Sequence, residues 1–279
     1  MTAILALASA LIIGSSDFGA GLATRRAPAL TITLWAQATS LVVVGAALLV
    51  FGWETVTTTD IVAGGVAGLS GAFSFAAFYA ALGRGTMSRV APVTALVGAG
   101  LPVAFGALTG DAISAIGWIG LFLGLISIVL VTRGDGLETG LGFSREAMLL
   151  ALAAGCGFAI FFIVLAETES AAGAWPLAVA RAVSVPVVAL ACRATSTEVR
   201  LDASAGKLAM LAGVGDMVAN LLLLEALRLG PLAVAGVFGS LYPISTVMLA
   251  WFVLGERLGR AQFAGIALAL AALPLVGLD

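Results

Sequence analysis

Apolar runs of about twenty residues recur along the whole chain and constrain its fold more than any other feature. A helix needs about 20 apolar residues to cross the ~30 Å hydrocarbon layer of a bilayer. Short stretches rich in turn-forming and charged residues separate the runs, whereas transmembrane β-strands would be about half as long and would alternate in polarity. The sequence therefore predicts ten transmembrane helices, at residues 2–22, 31–51, 61–82, 89–108, 112–132, 147–166, 174–192, 207–227, 232–253 and 260–277.

The composition agrees with a surface that meets lipid. Hydrophobic residues make up 61% of the 279 positions and charged residues 10%, whereas about a quarter of a soluble domain is charged. Histidine is absent, and Cys156 and Cys192 lie in separate apolar runs. We therefore expect no metal site, no redox centre and no cofactor. The 13 Lys and Arg residues are scattered, which argues against nucleic acid as a partner and leaves the lipid bilayer.

A repeat relates the two halves of the sequence. A shift of 145 residues aligns 80–132 with 225–277 without gaps, and a shift of 144 places Gln37 opposite Arg181. The most informative matches are Gly85 with Gly230, Gly110 with Gly255, Gly120 with Gly265, and Asp111 with Glu256. Because five helices are an odd number, the halves must cross the membrane in opposite directions. The predicted fold is an all-α integral membrane protein of ten helices in two inverted five-helix repeats, at 1–135 and 145–279.

The basic residues predict an orientation in the membrane. In the ten-helix arrangement eleven of the loop Arg and Lys residues fall on one side and only Arg228 on the other. Positively charged loops stay in the cytoplasm. We therefore expect a multi-pass protein of the cell (inner or plasma) membrane, with its basic loops cytoplasmic and both termini on the outer side.

Three segments resemble the EamA-like domain of the drug/metabolite transporter superfamily. They are residues 14–37, 79–96 and 224–272, the last of which contains Leu254–Gly255–Glu256 before the final helix. The first half has Thr109–Gly110–Asp111 at the matching place, and Ile13 stands where the family often has Trp. The resemblance implies two five-helix halves and a transport function. It also implies cytoplasmic termini, against the charge bias of this sequence, which we follow.

Ionisable groups inside the predicted helices are the first candidates for a substrate site. Asp216 and Asn220 lie four residues apart and share one helical face. Either they line a polar cavity, with Asp216 as substrate contact or proton carrier, or Asp216 pairs with Arg181 and locks two helices together. Arg181 is a candidate partner of a substrate carboxylate, of Asp216 or of Glu225. Glu225 is better explained by an interfacial ion pair with the nearby Arg228.

The first helix carries Asp17 directly after three small residues, Gly14 to Ser16. Asp17 belongs either to the cavity, which we favour, or to the membrane interface beside Arg25 and Arg26. Aromatic rings could stack on a substrate, and hydroxyl and amide groups could hydrogen-bond it. The complete set of predicted substrate-binding residues is Ser15, Ser16, Asp17, Gln37, Ser74, Phe75, Tyr79, Arg181, Asp216, Asn220 and Tyr242.

Glycine and proline positions predict packing and movement within the bundle. Gly64 and Gly68 are four residues apart in the third helix, a spacing typical of a close helix crossing. Pro92, Pro102 and Pro243 remove backbone hydrogen bonds from the fourth and ninth helices. We expect hinges at these prolines.

These features together favour a secondary transporter, which we expect to export small metabolites, amino acids or drug-like compounds by alternating access around a central cavity. No GxxxxGK[ST] motif is present, so ATP hydrolysis by this chain is excluded as the driving force. Without histidine, HExxH or GxSxG the chain is not expected to be an enzyme. The alternative is a non-catalytic membrane assembly partner or a subunit of a lipid-carrier flippase. The expected partners are a small-molecule substrate and lipid, and the expected state is a monomer.

Overall fold

The computed structural model describes residues 1–53, 55–84, 87–110, 113–131, 145–254 and 259–277, and the described residues contain helices and no strand. The helices are α1 Thr2–Ala23, α2 Ala29–Phe51, α3 Thr58–Arg84, α4 Met87–Thr109, α5 Ala115–Val131, α6 Arg145–Ala166, α7 Trp175–Ala194, α8 Ala203–Leu229, α9 Leu232–Gly239, α10 Pro243–Leu254 and α11 Arg260–Gly277, with a 3₁₀ turn at Ser170–Ala172. Asp111, Gly85, Gly255 and Glu256, on which part of the predicted repeat depends, lie outside the described residues.

Each predicted apolar run coincides with a helix, and the ninth run is divided between α9 and α10. Seven of the described spans are long and apolar enough to cross a membrane when α9 and α10 are counted as one. The apolar parts of α4, α5 and α11 are shorter, at 10–17 residues. The all-helical membrane fold is confirmed, and the exact number of ten crossings stays a prediction.

Local residues explain where several helices begin and end. Pro28 and Pro231 directly precede α2 and α9, where a fixed φ suits the first turn of a helix. The carboxylate of Asp202 accepts a hydrogen bond from the Ala205 amide and caps α8. Gly52 ends α2 with a φ of 68°, a conformation that glycine adopts without strain.

The helices pack across the two halves in a symmetric pattern. α1 packs against α8 as α6 packs against α3, and α2 packs against α8 as α7 packs against α3. In three further pairs, each helix packs against its own equivalent in the other half: α2 with α7, α4 with α9, and α5 with α11. This pattern is that of a two-repeat architecture in which the halves are interleaved and share one interior.

Two glycine contacts give the same symmetry at the level of single residues. A Cβ atom on Gly68 would overlap the carbonyl oxygen of Ala180, and one on Gly213 would overlap that of Ala36. Gly213 follows Gly68 by 145 residues, and Ala180 follows Ala36 by 144, the two shifts that the sequence repeat requires. Gly64 likewise faces the α7 backbone. The predicted close crossing at Gly64 and Gly68 is confirmed, since only glycine allows such an approach.

The directions of α2 and α7 show how the halves are related. At the start of α2, the Thr31 hydroxyl donates to the carbonyl of Glu198, which follows the end of α7. At the other end, Trp53 after α2 packs edge-on against Trp175 at the start of α7, with ring centroids 5.4 Å apart. The two helices therefore run antiparallel, as equivalent helices of an inverted repeat must.

A break interrupts the ninth predicted helix where proline indicated one. α9 ends at Gly239, a turn follows from Ser240, and α10 begins at Pro243. Proline has no N–H with which to continue the preceding helix. Pro102 causes no such break, because α4 continues past it, and the side chain of Pro92 lies outside the described residues. Only Pro243 among these prolines therefore interrupts a described helix, and movement there stays a prediction.

Candidate functional site

Buried polar side chains from both halves meet in the middle of the bundle. They come from α1, α2, α7 and α8, whereas the large exposed side chains of these helices are mostly hydrophobic. The central residues are Asp17, Gln37, Ser40, Arg181, Ser184, Asp216 and Asn220. Buried polar groups must find hydrogen-bond partners, and most of these residues find them in one another.

The Asp216 carboxylate has three side-chain partners. Its Oδ2 atom accepts from Arg181 Nη2 and from the Ser40 hydroxyl, each at 2.8 Å, and its Oδ1 atom accepts from Asn220 Nδ2 at 2.9 Å. Asp216 also lines the central cavity. Asp216 therefore both pairs with Arg181 and faces the cavity, and its role as substrate contact or proton carrier stays a prediction.

Arg181 lies behind Asp216 and is fully buried. One of its terminal nitrogens holds Asp216, whereas Nε and Nη1 have no partner in the described part of the chain. The side chain lines neither cavity described below. Its ion pair with Asp216 neutralises both charges, which would otherwise be heavily penalised in an apolar interior.

Gln37 finds its partner one turn along α7 from Arg181. The Ser184 hydroxyl donates to Gln37 Oε1 at 2.9 Å. Ser184 and Ser40 are related by the shift of 144 residues, and each serine bonds a polar side chain of the opposite half. The two halves are thus joined by one side-chain hydrogen bond from α2 to α8 and another from α7 to α2.

Two adjoining cavities open beside this network, and Asp17, Phe75 and Asp216 line both of them. The smaller has an open volume of about 250 Å³ and adds Ser16, Gln37 and Tyr79 among its lining residues. The larger has an open volume of about 530 Å³. Its further lining includes Thr94, Phe158, Phe161, Phe162, Asn220, Ser240 and Tyr242.

Asp17 lies in the cavity wall and not at the membrane interface. Its residue surface is only 7% exposed, and the Tyr79 hydroxyl donates to its Oδ1 atom at 3.3 Å. Arg26, the alternative partner, donates instead to the Ser204 hydroxyl. The expected cavity position of Asp17 agrees with the structure, and its role there stays a prediction.

Comparison with known proteins bears on this arrangement directly. The sequence profile of the EamA-like transporter family matches residues 1–133 and 145–278. The chain belongs to the EamA-like transporter family. It is therefore a membrane transporter of the drug/metabolite transporter superfamily, and its partners are a lipid bilayer and a small-molecule substrate.

A solved structure shares the EamA-like fold. One crystal structure of a protein matches 99% of this chain with 98% of its own length, at a TM-score of 0.79 and 18% sequence identity. At that identity the likeness shows the fold alone. No curated protein is significantly similar to the chain in sequence.

Besides Arg181, two of the predicted residues of this EamA-like chain do not reach the cavities. Ser15 is exposed on α1, and its hydroxyl donates to the Leu11 carbonyl. Ser74 is buried between α3 and α6, where its hydroxyl donates to the Ser70 carbonyl at 2.6 Å and abuts Gly157. Both hydroxyls are satisfied by the preceding turn of their own helix, which is common for serine in membrane helices.

Glu225 also lies apart from the site, as expected. Its carboxylate pairs with Arg228 at 3.4 Å, and its side chain is 55% exposed. Arg228 also donates to the Thr168 hydroxyl at 3.4 Å. The predicted pair between Glu225 and Arg228 is therefore present in the structure, outside the central network.

Several residues of the polar network and of the cavity walls were not predicted from the sequence. Ser40 follows Gln37 by three residues and so shares its helical face, a signal that could have identified it. Ser240 enters the cavity because α9 ends beside it. Phe158, Phe161 and Phe162 line the larger cavity, yet they stand in a run that resembles any lipid-facing helix. No pattern in the sequence separates these phenylalanines from lipid contacts.

Proposed function

We propose that this EamA-like protein is a secondary transporter that exports small metabolites, amino acids or drug-like compounds by alternating access around the central cavity. The carrying observation is that the cavity wall is built from both halves, with Asp17 and Phe75 from the first and Phe158 and Asp216 from the second. Transporters with inverted repeats place their substrate sites at such an interface, where tilting of one half against the other can expose the site to either side.

The contents of the cavity support a binding function. Small-molecule sites are mostly apolar clefts, and the wall of the larger cavity is mostly aromatic and aliphatic. Aromatic rings with a few polar groups are the usual lining of such sites. Carboxylates at this depth in a membrane protein are costly and mark pathways for substrates or ions. Asp216 and Asn220 are accordingly proposed as substrate contacts beside Asp17.

We propose α4 and the broken pair α9–α10 as the moving elements. α9 packs against α4 and α1 of the first half, and it also contacts α6 and α8 of its own half. At the break, Ser240 lines the larger cavity three residues before Pro243. A change at this turn would alter the cavity wall without disturbing the Asp216 network on α7 and α8.

The proposed transport unit is one chain with ten crossings, in halves at 1–135 and 145–279. Its proposed orientation places the basic loops in the cytoplasm, on the strength of the eleven-to-one distribution of loop charges. The antiparallel α2 and α7 support the inversion of the halves. The lining of the larger cavity comes from both halves of the chain, which supports a monomer as the transport unit.

A pair of glycines two residues apart on α4 allows a matched test. A Cβ atom on Gly98 would lie 3.8 Å from Phe158 Cβ and 3.9 Å from the Ser240 hydroxyl, at the cavity wall, whereas one on Gly100 would meet nothing within 4 Å. Gly98→Leu therefore fills the cavity, and Gly100→Leu adds the same side chain outside it.

The measurement is uptake of radiolabelled amino acids and drug-like amines into proteoliposomes that contain the purified chain. We expect the wild type and Gly100→Leu to transport a solute at similar rates, and Gly98→Leu to be slower by about tenfold or more, since a blocked site loses its binding energy. Equal rates for both variants would exclude this cavity as the pathway. Absence of flux for every solute would favour the assembly partner or flippase subunit.

A further inference from the structure

Asp17 has no positively charged partner among the described residues, whereas Asp216 is paired with Arg181. Its single hydrogen-bond donor in the described part of the chain is the neutral Tyr79 hydroxyl, at 3.3 Å, and none of the described residues forms an ion pair with it. It is nonetheless almost entirely buried. An ionised carboxylate in such surroundings is strongly destabilised unless a proton or a cation joins it.

The charges around Asp17 leave the site negative. The helices packed on α1 contribute Asp216 from α8 and Tyr242 from the α9–α10 turn, and Tyr79 reaches it from α3. Asp216 is cancelled by its ion pair with Arg181. With Asp17 ionised, the net charge of these described groups is therefore −1, and with a proton or a monovalent cation at Asp17 it is zero.

Aromatic rings surround the same space. Phe75 meets Phe158 edge-on at 5.1 Å between centroids and lies 5.8 Å from Tyr79. Phe75, Phe158 and Tyr242 line the larger cavity together with Asp17. The faces of such rings carry partial negative charge and attract organic cations, with greater strength where water is excluded.

We infer that the substrate is an organic cation with an aromatic or aliphatic body, bound with its charge at Asp17 and its body among Phe75, Phe158 and Tyr242. This inference rests on the proposed transport function. The cation and a proton compete for the same carboxylate: cation binding releases the proton from Asp17, and protonation releases the cation. Exchange of one for the other across the membrane conserves charge and couples export of the cation to inward movement of the proton.

The binding test uses the full chain in detergent and radiolabelled benzyltrimethylammonium, a cation that carries no exchangeable proton. Its neutral isostere neopentylbenzene and the anion phenylacetate serve as competitors. We expect the cation to bind, its affinity to fall as the pH is lowered, and both competitors to be ineffective. Asp17→Asn should weaken binding by about tenfold or more, because it removes the charge that holds the cation.

Proton release gives a second readout that a structural role of Asp17 would not produce. In a weakly buffered detergent solution at low pH, the wild-type protein should release up to about one proton for each benzyltrimethylammonium ion that it binds. Asp17→Asn should release none, and Asp17→Glu should restore both binding and release. The matched control is Glu225→Gln, which removes an exposed carboxylate outside the site and should behave like the wild type.

The outcomes separate this inference from the proposed function. If solute flux depends on Gly98 but the cation does not bind, or binds equally to Asp17→Asn, the inference is wrong and the transport proposal stands. If phenylacetate binds instead, the inference is overturned in favour of an anionic substrate. If the cation binds through Asp17 but no solute crosses the liposome membrane, the cation site stands and transport fails. Should Asp17→Asn not fold, Phe75→Leu must weaken binding of the cation, and unchanged affinity overturns the inference.

Discussion

Arg181 and Asp216 form an ion pair of 2.8 Å in which the Arg181 side chain is fully buried and that of Asp216 is 13% exposed. Ser40, from the opposite half, donates to the same carboxylate oxygen, so the pair also joins the two repeats. Two opposite buried charges offset each other's desolvation cost, whereas a single buried charge without its partner is strongly destabilising. The pair therefore matters to stability because removal of one partner leaves an uncompensated buried charge on the other.

Arg181→Met should destabilise the protein by about 3–5 kcal/mol, because Asp216 then remains as an uncompensated buried charge. The double variant Arg181→Met/Asp216→Leu should recover most of this loss, since neither charge remains. Thermal unfolding in detergent of the wild type, both single variants and the double variant gives a complete double-mutant cycle. A double variant whose loss equals the sum of the single losses would contradict the coupling.

Gly68→Val and Gly213→Val should each destabilise the bundle by about 1–3 kcal/mol, the range for overpacked interiors. In both, the new Cβ would meet a backbone carbonyl of the facing helix that has no room to move. Gly65→Val and Gly45→Val are the controls, because a Cβ at either position meets nothing within 4 Å. Thermal midpoints should fall for the first two variants and stay within error for the controls. Equal effects on all four would show that helix propensity, not packing, sets the loss.

The same glycines explain why much of the fold could be predicted from the sequence. Long apolar runs are a local property, and Gly64 and Gly68 recur at the spacing of a helix crossing. The shift that relates Gln37 to Arg181 also relates Ala36 to Ala180, whose carbonyls meet equivalent glycines. The length of the apolar runs, the spacing of the glycines and the internal repeat can all be recognised in the sequence, even when the packing partners of each helix are unknown.

The cavity was harder to predict, for a physical reason. In a membrane protein the lipid-facing and interior surfaces are both apolar, so hydrophobic periodicity does not distinguish Phe158 from a lipid contact. Asp17 and Asp216 were identified because a charge in lipid has few alternatives to the interior. Ser15 and Ser74 were wrongly predicted to line the cavity, because the hydroxyl of a helical serine can donate to a carbonyl of the preceding turn.

Asp60 should hold the loop between α6 and α7 in place. The carboxylate is buried and accepts from the Thr57 amide and hydroxyl, at 2.8 and 2.7 Å, and from the Glu169 amide at 3.0 Å. Asp60→Asn replaces one acceptor oxygen with a donor and should cost about 1 kcal/mol, as for loss of a helix cap. Hydrogen exchange of peptides that cover Glu169 should be faster in the variant. Asp202→Asn, which alters a cap on α8 only, should leave that exchange unchanged, and unchanged exchange in Asp60→Asn would contradict the assignment.

Two engineered cysteines should decide the orientation of the chain in the membrane. Ser170 and Glu198 are exposed and lie just before and just after α7, so a crossing α7 places them on opposite sides. Cys156 and Cys192 are first replaced by alanine, and Ser170→Cys or Glu198→Cys is then introduced. Because Arg193, Arg200 and Lys207 lie on the side of Glu198, that side should be cytoplasmic.

A membrane-impermeant maleimide should therefore label Ser170→Cys in intact cells, and Glu198→Cys only after the cells are permeabilised. The reverse pattern would mean that the helix packing of this chain fixes its orientation against the charge bias, with both termini in the cytoplasm. Labelling of both positions in intact cells would mean that α7 does not cross the membrane. That result would also remove the basis for an inverted repeat, because the inversion is inferred from α7 packing antiparallel to its equivalent helix, α2.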